Sequence, residues 1–208
     1  MLNVGILLYD DVELLDFAGP YEVFTTATRV AQRHNQPAPF VTHTLAQQPA
    51  IRARAGLTIR ADTDLSQAPL DLLIVPGGVT DAAQKNADLM HWLAQAARQT
   101  RCVASVCTGV FLLAQAGVLD HRPVTTHWED FEALHQQFPA LQLERDVRFI
   151  DHGSLATSAG ISAGIDLALH LVARFSSPDL ATATARQMDY HSTTHLRETQ
   201  EGIIYGLL

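Results

Sequence analysis

Lysine is nearly missing from this chain. Lys85 is the only one among 208 residues, and fourteen basic residues face twenty-two acidic ones, for a net charge of -8. The arginines are scattered and form no run, so a surface built to hold nucleic-acid phosphates is excluded. Cysteine is scarce as well. Cys102 and Cys107 lie five positions apart, on either side of an apolar run. That is poor disulfide geometry and no metal-ligand spacing, which implies a reducing compartment, no structural metal and no metal cofactor. Long hydrophobic runs are missing too. The first apolar stretch, Val4 to Tyr9, stops at Asp10 and Asp11 and has no basic residues before it. A secretion signal is therefore not expected, nothing is long enough to span a membrane, and a cytoplasmic protein is. There is no repeat, linker or low-complexity segment.

What is present is globular: 47% hydrophobic residues and 17% charged. This is enough chain for one sizeable α/β domain over residues 1–208, with 192–208 as a tail whose packing stays open. Apolar runs at Asn3 to Tyr9, Phe40 to Leu45, Leu72 to Val75 and Cys102 to Val106 read as strands, and Ile51 to Ile59 as a short strand or hairpin. Between them, helical spacing covers Ala18 to Gln32, Asp88 to Gln99 and Val110 to Ala116, with Gly117 as a helix cap. Beyond, Pro123 to Thr126 reads as a strand and Glu129 to Gln137 as a helix. Leu143 to Ile150 and Ser154 to Thr157 form a hairpin around Asp151-His152-Gly153. Ile161 to Phe175 is apolar nearly all round and should be a deeply buried helix, and Pro178 starts another towards Tyr190. Strands alternating with helices imply a mostly parallel sheet covered on both faces, with ligands above its carboxyl edge.

At that edge the string Ala104-Ser105-Val106-Cys107-Thr108-Gly109 carries the most chemistry. A strand runs into a cysteine, and a helix follows at once. This is the order of a nucleophile elbow, which lifts a reactive atom above the sheet. The first amides of the helix should favour thiolate over thiol at Cys107. The other reading is a small buried apolar residue, the common fate of a free cysteine. The amide of Thr108 is placed to stabilise developing negative charge, and its hydroxyl to hold a substrate or water.

Two further loops should converge there. Asp16 sits among apolar neighbours in Leu14-Leu15-Asp16-Phe17. It reads either as a helix-start acid or as a carboxyl whose pKa is raised by burial so that it can pass a proton. In Pro76-Gly77-Gly78 the glycines make a tight turn or let backbone amides approach a substrate. His127, after a short strand, is a candidate site residue. The string His127-Trp128-Glu129 looks like a dyad, but Glu129 more simply begins a helix. Asp10, Asp11, Glu13 and Asp16 are acidic, yet no second cluster complements them. His191 and His195 sit at i,i+4 without a third ligand, a weak metal signal.

Five ordered segments carry a resemblance: Leu15-Asp16-Phe17-Ala18-Gly19-Pro20, Ile74-Val75-Pro76-Gly77-Gly78, Ser105-Val106-Cys107-Thr108-Gly109, Val124-Thr125-Thr126-His127-Trp128 and Gly160-Ile161-Ser162-Ala163-Gly164-Ile165-Asp166. From Asn3 to about Tyr190 the chain resembles the ThiJ/PfpI superfamily, which shares the fold of class I glutamine amidotransferases. The resemblance implies a flavodoxin-like three-layer sandwich, mostly parallel, with Cys107 at the elbow and a homodimer as the usual assembly. Thr108 stands where the protease-like branch has histidine, and Val106 where the amidotransferases have glycine. Both activities are therefore disfavoured. The combination of Asp16, Cys-Thr-Gly and Thr-Thr-His-Trp looks most like isonitrile hydratases. It also looks like the amidase-like sensor half of AraC-type regulators, through Gly19-Pro20-Tyr21-Glu22-Val23-Phe24.

Carried onto this chain, the hydratase likeness makes Cys107 the nucleophile and Asp16 the acid/base. Thr108, Gly77, Gly78 and His127 would orient a small-molecule substrate, Ile161 would line the pocket at the opening of a buried helix, and no cofactor is needed. The alternatives are a non-catalytic ligand-binding domain and glyoxalase-like or stress-related thiol chemistry at the same cysteine.

Overall fold

The computed structural model describes residues 1–66 and 69–207. The first half of the chain runs β1 (Leu2–Leu7), α1 (Leu14–Arg33), β2 (Phe40–Leu45), β3 (Ala50–Arg52), β4 (Thr58–Arg60), β5 (Leu72–Val75), α2 (Asp81–Lys85), α3 (Ala87–Gln99) and β6 (Cys102–Val106). Then come α4 (Gly109–Gln115), β7 (Pro123–Val124), α5 (Phe131–Gln137), β8 (Gln142–Leu143), β9 (Val147–Asp151), β10 (Leu155–Ser158), α6 (Ala163–Phe175), α7 (Pro178–Gln187), β11 (His195–Glu198) and β12 (Ile204–Leu207).

The main sheet has the order β11-β12-β9-β10-β6-β5-β1-β2. From β10 to β2 every neighbour is parallel, and β9, β12 and β11 extend it in antiparallel fashion. β5 and β6 are buried along their whole length, as strands covered on both faces must be. Helices α1, α6 and α7 pack on one another as one layer, and α2, α3 and α4 form a second group. This is the three-layer α/β architecture that the sequence implies.

Several boundaries differ from expectation, each for a local reason. Helix α1 begins at Leu14 and keeps Pro20 inside it, so its first turn carries Asp16 into the interior. The expected strand Leu143 to Ile150 is two strands, broken where Asp146 takes φ 60°. Glu129 does not start a helix; α5 begins at Phe131, with Asp130 at its N-cap position. Ile161 precedes α6 with φ 50° rather than opening it. The tail is no longer ambiguous over most of its length: β11 and β12 form a hairpin, and β12 pairs with β9 at the edge of the sheet. Leu208 lies outside the described residues. His195 is therefore on a strand and His191 in irregular chain, so the two do not share a helical face.

Away from the site, the far end of β9 is tied to α6 by ionic contacts. Asp151 is buried and holds His170 Nε2 at 2.8 Å and Arg174 Nη1 at 2.6 Å. These donors keep its pKa below the usual carboxylate value despite its burial.

The turn from β6 into α4 depends on close approach. A Cβ on Gly109 would sit 2.0 Å from the Val75 carbonyl oxygen, whereas one on Gly117 (φ 67°) meets nothing within 4 Å. In chemical denaturation, Gly109→Ala should lose about 2–4 kcal/mol, because backbone must move. Gly117→Ala should lose only about 1–2 kcal/mol, from left-handed strain. Equal losses would mean that the turn is not tightly packed.

Candidate active site

Three turns at the carboxyl ends of β1, β5 and β6 meet, and each delivers one part of the site. The chain leaves β6 through Cys107, whose φ of 56° is seldom adopted by a residue with a side chain. Its conformation is over-determined. The Cys107 N–H donates to the Ser158 carbonyl at 3.1 Å, and the Thr126 hydroxyl donates to the Cys107 carbonyl at 3.0 Å. Thr126 had no role of its own in the sequence reading, although it falls within the resemblance segment Val124 to Trp128.

Asp16 reaches the same point from α1 and is 0% exposed. Its Oδ2 accepts the Gly77 N–H at 3.1 Å, and the Cys107 thiol and the Ile161 N–H also donate to the carboxyl. Gly77 has to be glycine here. A Cβ would stand 2.5 Å from Thr108 Oγ1 and 2.8 Å from Asp16 Oδ2. The Gly78 N–H donates to Thr108 Oγ1 at 2.8 Å, and that hydroxyl donates back to the Gly78 carbonyl at 2.9 Å. The amides of Gly77 and Gly78 and the Thr108 hydroxyl are thus engaged within the protein, rather than open towards a substrate as the sequence suggests. They clamp the turn after β5 onto the turn after β6. Tyr9 adds to this clamp: its buried hydroxyl donates to the Pro76 carbonyl at 2.9 Å. Sequence gave no reason to select it.

Electrostatics at the pair follow from burial. Burial pushes the Asp16 carboxyl up to about 7, and the nearby Glu13 charge adds to this. The Gly77 N–H, the Cys107 thiol and the Ile161 N–H work in the opposite direction. Cys107 is 7% exposed, and burial raises its thiol far above the ordinary value, with the Asp16 charge next in size. The adjacent Thr108 amide lowers it, but by less. This corrects the expectation of a resting thiolate. The amides at the start of α4 favour the anion, but desolvation beside a carboxylate outweighs them. The resting pair is a thiol beside a carboxyl that is half-ionised near neutrality.

Cys107 lies in the wall of a cleft of about 450 Å³, shared with Thr108, Gly78, Phe111, His127 and Ile161. His127 sits with Nδ1 3.4 Å from Asp130 Oδ2 and 3.8 Å from Glu129 Oε2. Asp130, which the sequence reading passed over, is thus its nearer carboxylate. Among the described residues, no group of three His, Cys, Asp or Glu side chains could hold a metal ion. No described helix is long and apolar enough to cross a membrane.

A mostly parallel three-layer sheet with a buried cysteine on a sharp strand-to-helix turn, facing a buried carboxyl, defines the class. The chain belongs to the DJ-1/PfpI family, whose profile matches residues 3–174. It is similar to the isonitrile hydratase of Pseudomonas putida, with 33% identity over 192 residues, covering 91% of this chain and 78% of that protein. It is also similar to the HTH-type transcriptional regulator GbdR of Pseudomonas aeruginosa, with 30% identity over 200 residues and 95% of this chain, but it spans only 53% of the regulator. Among solved structures, a THiJ/PfpI family protein from Pseudomonas syringae superposes with a TM-score of 0.80 at 24% identity, covering 92% of this chain and 76% of that one. An AraC family transcriptional regulator from Pseudomonas putida gives 0.76 at 22% identity, covering 90% of this chain and 100% of that one. At these identities the structures speak for the fold.

The raised Asp16 pKa makes a stability prediction. Between about pH 4 and pH 7 the folded chain keeps a proton that the unfolded chain has released, so stability should fall as pH rises through that window. Asp16→Asn removes the cost of the buried charge. It should be more stable than the unaltered chain at pH 8, by an amount on the order of 2–4 kcal/mol, and nearly equal to it at pH 4. Denaturant midpoints at the two pH values measure this, and an identical difference at both would disprove the buried-charge account.

Proposed function

We propose that the chain is a cysteine-dependent hydratase that converts a small isonitrile and water to the N-substituted formamide. The observation that carries this reading is the buried Asp16 carboxyl, raised to about 7 and hydrogen-bonded by the Cys107 thiol, at the edge of a cleft that the cysteine lines. Likeness to an isonitrile hydratase over 91% of the chain supports it. The carbon of an isonitrile must gain both a proton and a nucleophile, and this pair offers one of each.

Asp16, as carboxylate, takes the thiol proton and delivers it to the terminal carbon while Cys107 sulfur bonds to the same carbon. The product is the thioimidate R–N=CH–S–Cys107. Asp16 is then a carboxylate again and takes a proton from water as its oxygen adds to that carbon. The nitrogen gains a proton from solvent. The C–S bond breaks, the sulfur recovers the Asp16 proton, the hydroxyl returns one to solvent, and R–NH–CHO leaves. The Thr108 amide beside the sulfur lowers the cost of its transient charge. Thr108 Oγ1, Gly77 and Gly78 act by holding the two turns together, with His127 and Ile161 shaping the opposite wall. No metal or organic cofactor enters this scheme, and residues 1–208 are taken to act as one unit.

A ligand-binding role without turnover is the second reading. It is favoured by the likeness to GbdR across 95% of this chain, in which the matched region is about half of the regulator. Glyoxalase-like or oxidative chemistry at Cys107 is a third use of the same pair. The homodimer expected from the family resemblance stays a proposal. Sedimentation at micromolar concentration should return twice the chain mass.

Purified protein offered alkyl and aryl isonitriles, with methylglyoxal alongside, should release formamides. kcat/KM should rise with pH through about 7 as Asp16 ionises. Cys107→Ala should abolish turnover, Asp16→Asn should lower it at least about 100-fold, and Cys102→Ala, buried at the opposite end of β6, should leave it unchanged. Binding of isonitriles without formamide release would transfer the reading to the sensor role. Turnover of methylglyoxal alone would transfer it to the third.

A further inference from the structure

The cleft above Cys107 is strongly unbalanced in charge. Glu13 comes from the start of α1, Asp81 from α2, and Glu129 and Asp130 from the approach to α5, yet all four line the same cavity. The sole guanidinium in its wall, Arg54, lies 3.4 Å from Glu13 and is compensated by it. His127, the other nitrogen base in the wall, has Asp130 and Glu129 as its neighbours. Carboxylates from three separate elements thus line the cleft in whose wall Cys107 lies, so a ligand that reaches the sulfur passes among them.

We propose that this cleft selects substrates whose substituent is positively charged, of the alkylammonium class, and turns away carboxylate-bearing ones. Fields from like charges are focused in a concave site, and they raise the local concentration of a cation as they lower that of an anion. The same carboxylates act on the reacting pair: Glu13 raises the Asp16 carboxyl and Asp130 raises the Cys107 thiol. A cation seated among them offsets both effects and eases removal of the thiol proton. Substrate charge would then contribute to activation as well as to capture. The reaction assumed for that substrate rests on the hydratase reading; the charge preference of the cleft does not.

The two ideas can be tested separately. In the first experiment Cys107 is labelled at pH 8 and low salt with two methanethiosulfonates of equal length, one ending in trimethylammonium and one in sulfonate. The Cys107 sulfur forms a disulfide with the reagent's thiol sulfur, and methanesulfinate leaves. Rates are read by mass spectrometry, with Cys107→Ser as background, and the cation-to-anion ratio is divided by the same ratio on N-acetylcysteine. The normalised ratio should be about ten or more at low ionic strength and should collapse towards one in 0.5 M NaCl. The double variant Asp81→Asn, Glu129→Gln changes two exposed side chains outside the proposed chemistry, and it should lower the ratio at least about three-fold. A normalised ratio at or below one, or one unmoved by salt and by the double variant, overturns the proposal.

The second experiment compares turnover of three isonitriles matched in length and ending in methyl, carboxylate or trimethylammonium. The highest kcat/KM should belong to the trimethylammonium compound and the lowest to the carboxylate. Turnover without that order overturns the charge proposal and leaves the reaction standing. A high labelling ratio with no turnover of any of the three refutes the reaction and leaves the charge preference.

Discussion

A carboxyl and a thiol placed together out of water are the constraint on which this molecule turns. Left exposed, Asp16 would be a fully ionised acid, unable to hold a proton near neutrality. Burial brings it into that range and keeps Cys107 a thiol, and it does so because three separate turns close over them. Each closure has its own requirement. α1 starts early enough to carry Asp16 inward, Gly77 leaves room for the carboxyl, and Gly109 lets α4 press against the Val75 carbonyl. The sheet's parallel order, β1 beside β5 beside β6, brings the three turns to one edge. The fold thus acts on the chemistry through desolvation.

Much of this was legible in the sequence because the central strands are fully buried. A continuous apolar run between turn residues has few alternatives, so β5 and β6 could be placed to the residue, while β2, a half-buried strand at the sheet's edge, was legible from its alternation. Asp16, Cys107 and Thr108 were found because each is polar in an apolar setting at a strand-to-helix junction. What the sequence hid was conformational. Ile161 reads as the first residue of a helix, since nothing in an isoleucine announces φ 50°. Asp146, at φ 60° within the charged stretch Glu144-Arg145-Asp146, divides what reads as one strand from Leu143 to Ile150. Helical spacing placed α1 from Ala18, whereas it starts at Leu14 and accommodates Pro20 in its second turn.

The ionisation state of Cys107 was misread because two effects of opposite sign act on it. Sequence shows that a helix follows the cysteine, and this favours thiolate. It does not show how deeply the sulfur lies, or that a carboxylate is its neighbour. Both disfavour thiolate, and together they prevail. Likewise Tyr9 and Thr126 act through backbone carbonyls of Pro76 and Cys107, contacts that no local pattern encodes.

An enzyme and HTH-type transcriptional regulators both occur among the relatives, and one cleft serves turnover and binding alike. The buried acid beneath the cleft separates the two uses. Holding Asp16 out of water is costly, and donors from Gly77, Cys107 and Ile161 offset that cost only in part, since the carboxyl is still raised to about 7. Retaining a ligand in the cleft does not require an acid of that kind behind the sulfur. Passing a proton between a thiol and a substrate atom does require one within reach of the thiol. The acidic walls above it serve recognition whether or not chemistry follows.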